Sequence, residues 1–278
     1  MNHQEGADPS APAPAFPVTG DNLIAWSTVR VALTLVWSGT LIMGLAGALS
    51  FLGEYAEQAA PGGYFTFKAA TACAYLLLLL LVIFGAVIII IGKCISLATP
   101  QNMPGRRAVV SSIVAMGITA ALLFAWVTVQ VANDLAQRWE ARFPEFRDGR
   151  PVPAKPPPWS KVEIKMLLGA SYLASSISGL FYGLFLCRLA RIFNRPRLGT
   201  EFLAYLLVYV VLGLAGFLLT ILTDASDWLR TPKIMADDMV YLLACAAILG
   251  ALFLWYVSLV YRMREAVTAA LQVRVASN

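Results

Sequence analysis

Histidine is nearly absent from this sequence, since the only one, His3, lies in the N-terminal tail. Acids are just as scarce where chemistry in a membrane would need them, because every Asp and Glu falls in a connector or a tail and none near the middle of an apolar run. Paired-carboxylate catalysis, a histidine-dependent triad and a histidine-ligated metal site therefore lack their parts. The four cysteines, Cys73, Cys94, Cys187 and Cys245, lie inside or at the ends of apolar stretches and form neither a disulfide framework nor a CxxC pair. The expectation is a protein that is not an enzyme and carries no cofactor and no metal.

What the sequence has in abundance is apolar mass. Hydrophobic residues make up 59% of the 278 positions and charged residues 13%, too much apolar surface for one soluble core. About 20 apolar residues carry a helix across a bilayer. Six stretches qualify, at 26–52, 67–98, 109–132, 164–193, 202–223 and 239–261, with AYLLLLLLVIFGAVIIIIG the clearest of them. The fold expected is all-α, a polytopic membrane protein of six transmembrane helices. Residues 23–265 form its membrane domain, residues 1–22 a disordered cytoplasmic tail and residues 266–278 a second cytoplasmic tail. The loop 133–163 is the only long connector, and its run Pro156 to Pro158 predicts partly extended chain, although LAQRWEARF could prolong the third helix. The first 22 residues lack a basic start and an apolar run, so no cleavable secretory signal is expected there.

Cations set the orientation, because Lys and Arg resist translocation. Lys93, Arg106, Arg107, Arg188, Arg191, Arg195, Arg197, Arg262, Arg264 and Arg274 follow the even helices, against Glu201 and Glu265 alone. The other side holds Lys68, Arg230 and Lys233 with six acids, and the mixed-charge loop 133–163 follows by alternation of spans. Both termini are expected in the cytoplasm. The net charge of +5 is spread over several connectors without aromatic clustering, so the anions in view are lipid headgroups and not nucleic acid. Arg106, Arg107, Arg188, Arg191, Arg195 and Arg197 are the candidate headgroup contacts. Arg30 lies within about two turns of the internal end of helix one, from where its side chain snorkels to the interface. Trp26, Trp126, Trp159, Trp228 and Trp255 fall near span ends, as interfacial belts require, and Trp37 lies inside helix one.

A triple echo runs through the odd helices as Gly44-Leu-Ala-Gly47, Gly117-Ile-Thr-Ala120 and Gly213-Leu-Ala-Gly216. It is compatible with three helical-hairpin repeats whose small residues mark packing faces, since apolar side chains gain nothing over lipid and close backbone approach does. The Gly and Ser content of helix four, with Ser171, Ser175, Ser176 and Ser178, predicts close packing there.

The layout of three hairpins and six helices resembles mitochondrial carriers in length, but the odd helices end in Leu52-Gly-Glu54, Ala132-Asn-Asp134 and Leu222-Thr-Asp224, without that family's proline and following cation. With Cys94-Ile-Ser-Leu-Ala98 and Cys187-Arg-Leu-Ala190 before a proline and an Arg-rich turn, the chain resembles uncharacterised six-helix bacterial membrane proteins. The likeness covers the spans and implies no activity. It points to a bacterial cell (inner) membrane; membrane lipids are the partners expected from the charge distribution, and other membrane proteins those expected of a bundle without buried ionisable groups.

The leading functional expectation is a non-enzymatic scaffold or accessory subunit. The alternative is a facilitative transporter or channel for an uncharged or amphipathic solute, with Thr119, Gln130, Ser171, Ser175 and Ser178 as polar lining between helices three and four. A lipid-handling enzyme built on Asp134, Asp237 and Asp238 is a third class, for which their spacing supports no reaction. S-acylation of Cys94 or Cys187, beside Lys93 and Arg188, is chemically available at those helix ends.

Overall fold

A computed structural model of the chain describes residues 22–59, 65–100, 103, 105–142, 146–147, 150–151, 159, 161–222 and 236–276. Its helices are α1 (Leu23–Ala59), α2 (Phe65–Ile95, continued by a 3-10 turn over Ser96–Ala98), α3 (Arg106–Arg142), α4 (Lys161–Ile192), α5 (Pro196–Leu222) and α6 (Ala236–Ala276). Each contains a stretch of 20 residues or more that is long and apolar enough to cross a bilayer, six in all among the described residues. The chain is a polytopic all-α membrane protein. Readings for residues 1–21 and for Trp228 fall outside the described residues.

The outward faces identify the solvent. On α5, Leu203, Leu207, Val211, Leu214 and Leu218 recur every three or four residues and are all exposed by about half or more. On α3, Val110, Val114 and Ile118 recur in the same way, as do Phe124, Val127 and Val131 further along, and Phe124 is 75% exposed. Continuous apolar stripes of this kind face hydrocarbon, because in water they would drive association.

The helices outlast the predicted spans at several ends. With 37 residues, α3 is about 55 Å long against a hydrocarbon thickness of about 30 Å, and its excess is the LAQRWEAR segment. The last helix continues past residue 265 to Ala276, and Val267 and Leu271 on it are buried. Between α3 and α4, β1 (Phe146–Arg147) pairs antiparallel with β2 (Arg150–Pro151), Arg147 facing Arg150.

The chain divides into two compact units. The first comprises Met1–Val109, Leu184–Leu203 and Leu252–Asn278. Its core is built from Trp26, Val29, Leu33 and Val36 of α1, Phe185, Leu186 and Leu189 of α4, Phe202 of α5, and Leu259, Val260 and Met263 of α6. Trp26 is 1% exposed and meets the Phe193 ring edge-on at 4.9 Å, so it is a core residue and not part of an interfacial belt. Within this unit α1 and α2 run antiparallel at backbone contact. A Cβ on Gly39 would lie 2.7 Å from the Gly85 carbonyl oxygen, and one on Gly92 would lie 2.9 Å from that of Ala32.

The second unit comprises Val110–Gly183 and Ala204–Ala251. There Ser176, Gly179 and Gly183 of α4 face Gly213, Tyr209 and Leu206 of α5, stepping up one helix and down the other. A Cβ on Gly179 or Gly183 would meet those side chains at 2.8 and 2.3 Å, so the small residues of α4 mark a close-packed face, as its composition predicts.

The odd-helix glycines divide by face. Gly44 packs on the Phe253 ring and Gly213 on Ser176, but Gly47 and Gly117 have no atom within 4 Å of where a Cβ would stand. Gly117 lies between the exposed Val114 and Ile118, on a lipid-facing stripe.

Candidate functional site

Backbone chemistry gathers the basic residues of the first unit. After the 3-10 turn, the Met103 N–H donates to the Pro100 carbonyl at 2.9 Å, and Gly105 at φ 131° turns the chain into α3. That φ is open to glycine and strained for other residues. A Cβ there would lie 3.5 Å from both Arg188 Cδ and Phe185 Cδ2, so Arg106 and Arg107 begin their helix beside Arg188. At the far side of that arginine α4 ends in a Schellman motif. The Arg195 N–H reaches the Ala190 carbonyl at 2.9 Å, the Asn194 N–H reaches Arg191 at 3.1 Å, and Asn194 adopts φ 53°. Pro196 then starts α5, where its fixed φ suits a helix and its missing N–H costs nothing. Gly199, a Cβ on which would lie 3.7 Å from Arg191 Cγ, lets this helix return close to α4.

Five of the six predicted headgroup contacts, Arg107, Arg188, Arg191, Arg195 and Arg197, are exposed at these turns, and Arg106 is half-buried. On α6, Arg262 makes a two-pronged salt bridge with Glu201 of α5, its second prong Nη2 to Oε1 at 3.1 Å.

A second cationic feature lies between α1 and α6. Arg30, Val31, Thr34 and Leu35 on one helix and Arg264 and Thr268 on the other line a groove of about 320 Å³. Thr34 donates to the Arg30 carbonyl and Thr268 to the Arg264 carbonyl, each at 2.9 Å. The Arg264 guanidinium stands 5.9 Å from the Trp37 ring centroid and 5.6 Å from that of Tyr261. Sequence reading finds Arg30 but not its meeting with Arg264, because the antiparallel register of two distant helices brings them together. Trp37, placed inside helix one by the sequence, is the available signal.

The residues predicted to line a pathway have the following surroundings among the described residues. Ser178 of α4 and Ser112 of α3 clasp each other, each hydroxyl donating to the other's backbone carbonyl at 2.8 Å with the two oxygens 3.2 Å apart. Ser171 donates to Leu168 at 2.7 Å and Thr119 to Ala115 at 2.9 Å, both within their own helices. Ser175 and Gln130 are exposed. Ser112 and Ser178 thus join α3 to α4, while Ser171 and Thr119 bond within their own helices.

Cys94 is exposed and Cys187 is buried, with 6% of its surface exposed, so of the two only Cys94 offers an accessible thiol. Asp134 is exposed near the end of α3, while nothing is described of the Asp237 and Asp238 side chains. Among the described residues no three His, Cys, Asp or Glu side chains gather as metal ligands would.

The fold and this geometry define a class, the multi-pass helical membrane proteins with a basic face at one set of helix ends. No protein-family model, curated protein or solved structure matches the chain.

Proposed function

We propose that this chain is a non-enzymatic scaffold or accessory subunit of a bacterial inner membrane, with both termini cytoplasmic and with lipids and other membrane proteins as its partners. The observation that carries this reading is the Ser112–Ser178 clasp. Ser178, one of the residues expected to line a route between α3 and α4, instead joins those helices through Ser112, with donor–acceptor distances of 2.8 Å in both directions. Such a bundle works through its surfaces, which are broad apolar faces on α2, α3 and α5 and exposed arginines at the turns. The cytoplasmic side follows from those arginines, which resist translocation.

The test is chemical crosslinking in intact membranes followed by purification of the tagged full-length chain in mild detergent. A reproducible set of membrane proteins in defined ratio is expected, and repeated recovery of the bundle alone would overturn the reading. Reporter fusions at residues 104 and 195 and at the C-terminus should all report cytoplasm, and an external signal from any of them would reverse the orientation. Solute flux through purified protein in liposomes that Ser178→Leu abolishes would favour the transport alternative instead.

A further inference from the structure

We propose that the groove between α1 and α6 is a binding site for an anionic glycerophospholipid, its phosphate held by Arg30 and Arg264 and an acyl chain lying along Val31 and Leu35.

The position of the two arginines carries the argument. Arg30 belongs to the apolar stretch Leu23–Ser50 and Arg264 to Ala247–Val273, so each lies several residues inside a segment fit to span the bilayer. Arg30 snorkels to the interface and Arg264 follows the apolar run of α6, so both stand at the level of the lipid headgroups, where each cation near the surface attracts an anionic headgroup by about 1 kcal/mol. Two guanidiniums share one groove. Among the described residues Arg264 forms an ion pair with Glu265, 3.8 Å from Nη2, which offsets one of the two cations. The groove therefore has an excess of positive charge, which calls for an anion.

Its remaining chemistry narrows that anion. Thr34 and Thr268 spend their hydroxyl protons on backbone carbonyls, so the donors left to the groove are guanidinium N–H groups, whose planar fork suits phosphate oxygens. The Arg264 guanidinium carbon lies 5.9 Å from the Trp37 ring centroid and 5.6 Å from that of Tyr261, within cation–π range of both rings. Val31 is 47% exposed and Leu35 follows it by one turn along α1, giving the groove an apolar wall. A free phosphate has no use for that wall, whereas a phospholipid presents phosphate and acyl chain together. The register is preset as well. Gly44 against Phe253 and Trp37 against Tyr261 lock the two helices antiparallel, and the same alignment brings Arg30 and Thr34 opposite Thr268 and Arg264.

The full-length protein is purified in mild detergent and its retained lipids are measured by native mass spectrometry, with added phosphatidylglycerol, phosphatidylcholine or inorganic phosphate. Phosphatidylglycerol should be retained selectively, and Arg30→Gln/Arg264→Gln should lower its retention by about fivefold or more. Arg195→Gln/Arg197→Gln should lower it less than twofold. Equal loss in the two double variants would make the attraction diffuse and overturn the groove, as would equal retention of phosphatidylcholine. Displacement of the lipid by millimolar inorganic phosphate would overturn the lipid assignment. Should the double variant fail to fold, Arg30→Gln alone decides: its side chain is exposed, and unchanged retention in it would count against the site.

Discussion

Ser112 and Ser178 exchange hydroxyl-to-carbonyl hydrogen bonds of 2.8 Å in both directions across α3 and α4. Neither bond depends on the other's side chain, because each acceptor is a backbone carbonyl. Only the 3.2 Å contact between the two hydroxyl oxygens is shared. Each Ser→Ala change should therefore cost about 0.6 kcal/mol, the average for an interhelical hydrogen bond in a membrane, and the two should add to within about 0.3 kcal/mol. Reversible unfolding in mixed micelles provides the check. A double variant no worse than the worse single one would mean that the hydroxyls act as one unit.

The glycines rank by what a methyl group would meet. Gly39→Ala drives Cβ to 2.7 Å from a backbone oxygen of α2, which can yield only if the helices separate. Gly44→Ala meets the tip of the Phe253 ring at 2.0 Å, a side chain that can rotate aside. Gly117→Ala meets nothing within 4 Å and gains helix propensity, by up to about 1 kcal/mol. Thermal stability in detergent should fall most for the first, less for the second, and hold or rise for the third. A Gly39→Ala protein as stable as the parent would show that the α1–α2 contact is loose.

These three positions also show how far the sequence can be read. Six spans were legible because length and apolarity are properties of a segment by itself. Packing faces were not, because lipid and protein interior are both apolar and leave no polarity contrast around a helix. The Gly-Leu-Ala-Gly echo thus marks Gly44 and Gly213, which pack, together with Gly47 and Gly117, which do not. Gly39, Gly85 and Gly92, which bring α1 onto α2, stand outside that echo. In α4 the signal was stronger, since Ser176, Gly179 and Gly183 repeat on one face. Trp26 misled for the same reason: its place near a span end fits an interfacial belt, and only the neighbouring Phe193 shows it buried. The exposed arginines were readable from charge alone, whereas the Arg30–Arg264 groove needed the register of helices more than two hundred residues apart.

Asn194 holds the left-handed position that ends α4, at φ 53°. Replacement by Ala keeps the helix but places a Cβ-bearing residue without a local polar side chain in that conformation, at a cost of about 1 kcal/mol. Asn194→Gly should be neutral or mildly stabilising. Because the turn sets the approach of α5, Asn194→Ala should also quicken proteolysis between residues 193 and 197. Equal stability of the Ala and Gly variants would mean that the backbone at this turn has another accessible path.

Arg262 and Glu201 pair with both carboxylate oxygens engaged, yet their side chains are 48% and 37% exposed. Geometry argues for a strong contact and exposure for a screened one. Exposure prevails, since water competes for both groups and two long side chains must be ordered, which leaves about 1 kcal/mol or less. Glu201→Arg adds like-charge repulsion in a region already rich in arginine and should lose more than Glu201→Gln. The exchanged pair, Glu201→Arg with Arg262→Glu, should recover most of that difference, and raising the salt to about 1 M should shrink it as the screening length falls to about 3 Å. A difference that survives high salt intact would mean that this pair is shielded from water by the surrounding detergent or lipid.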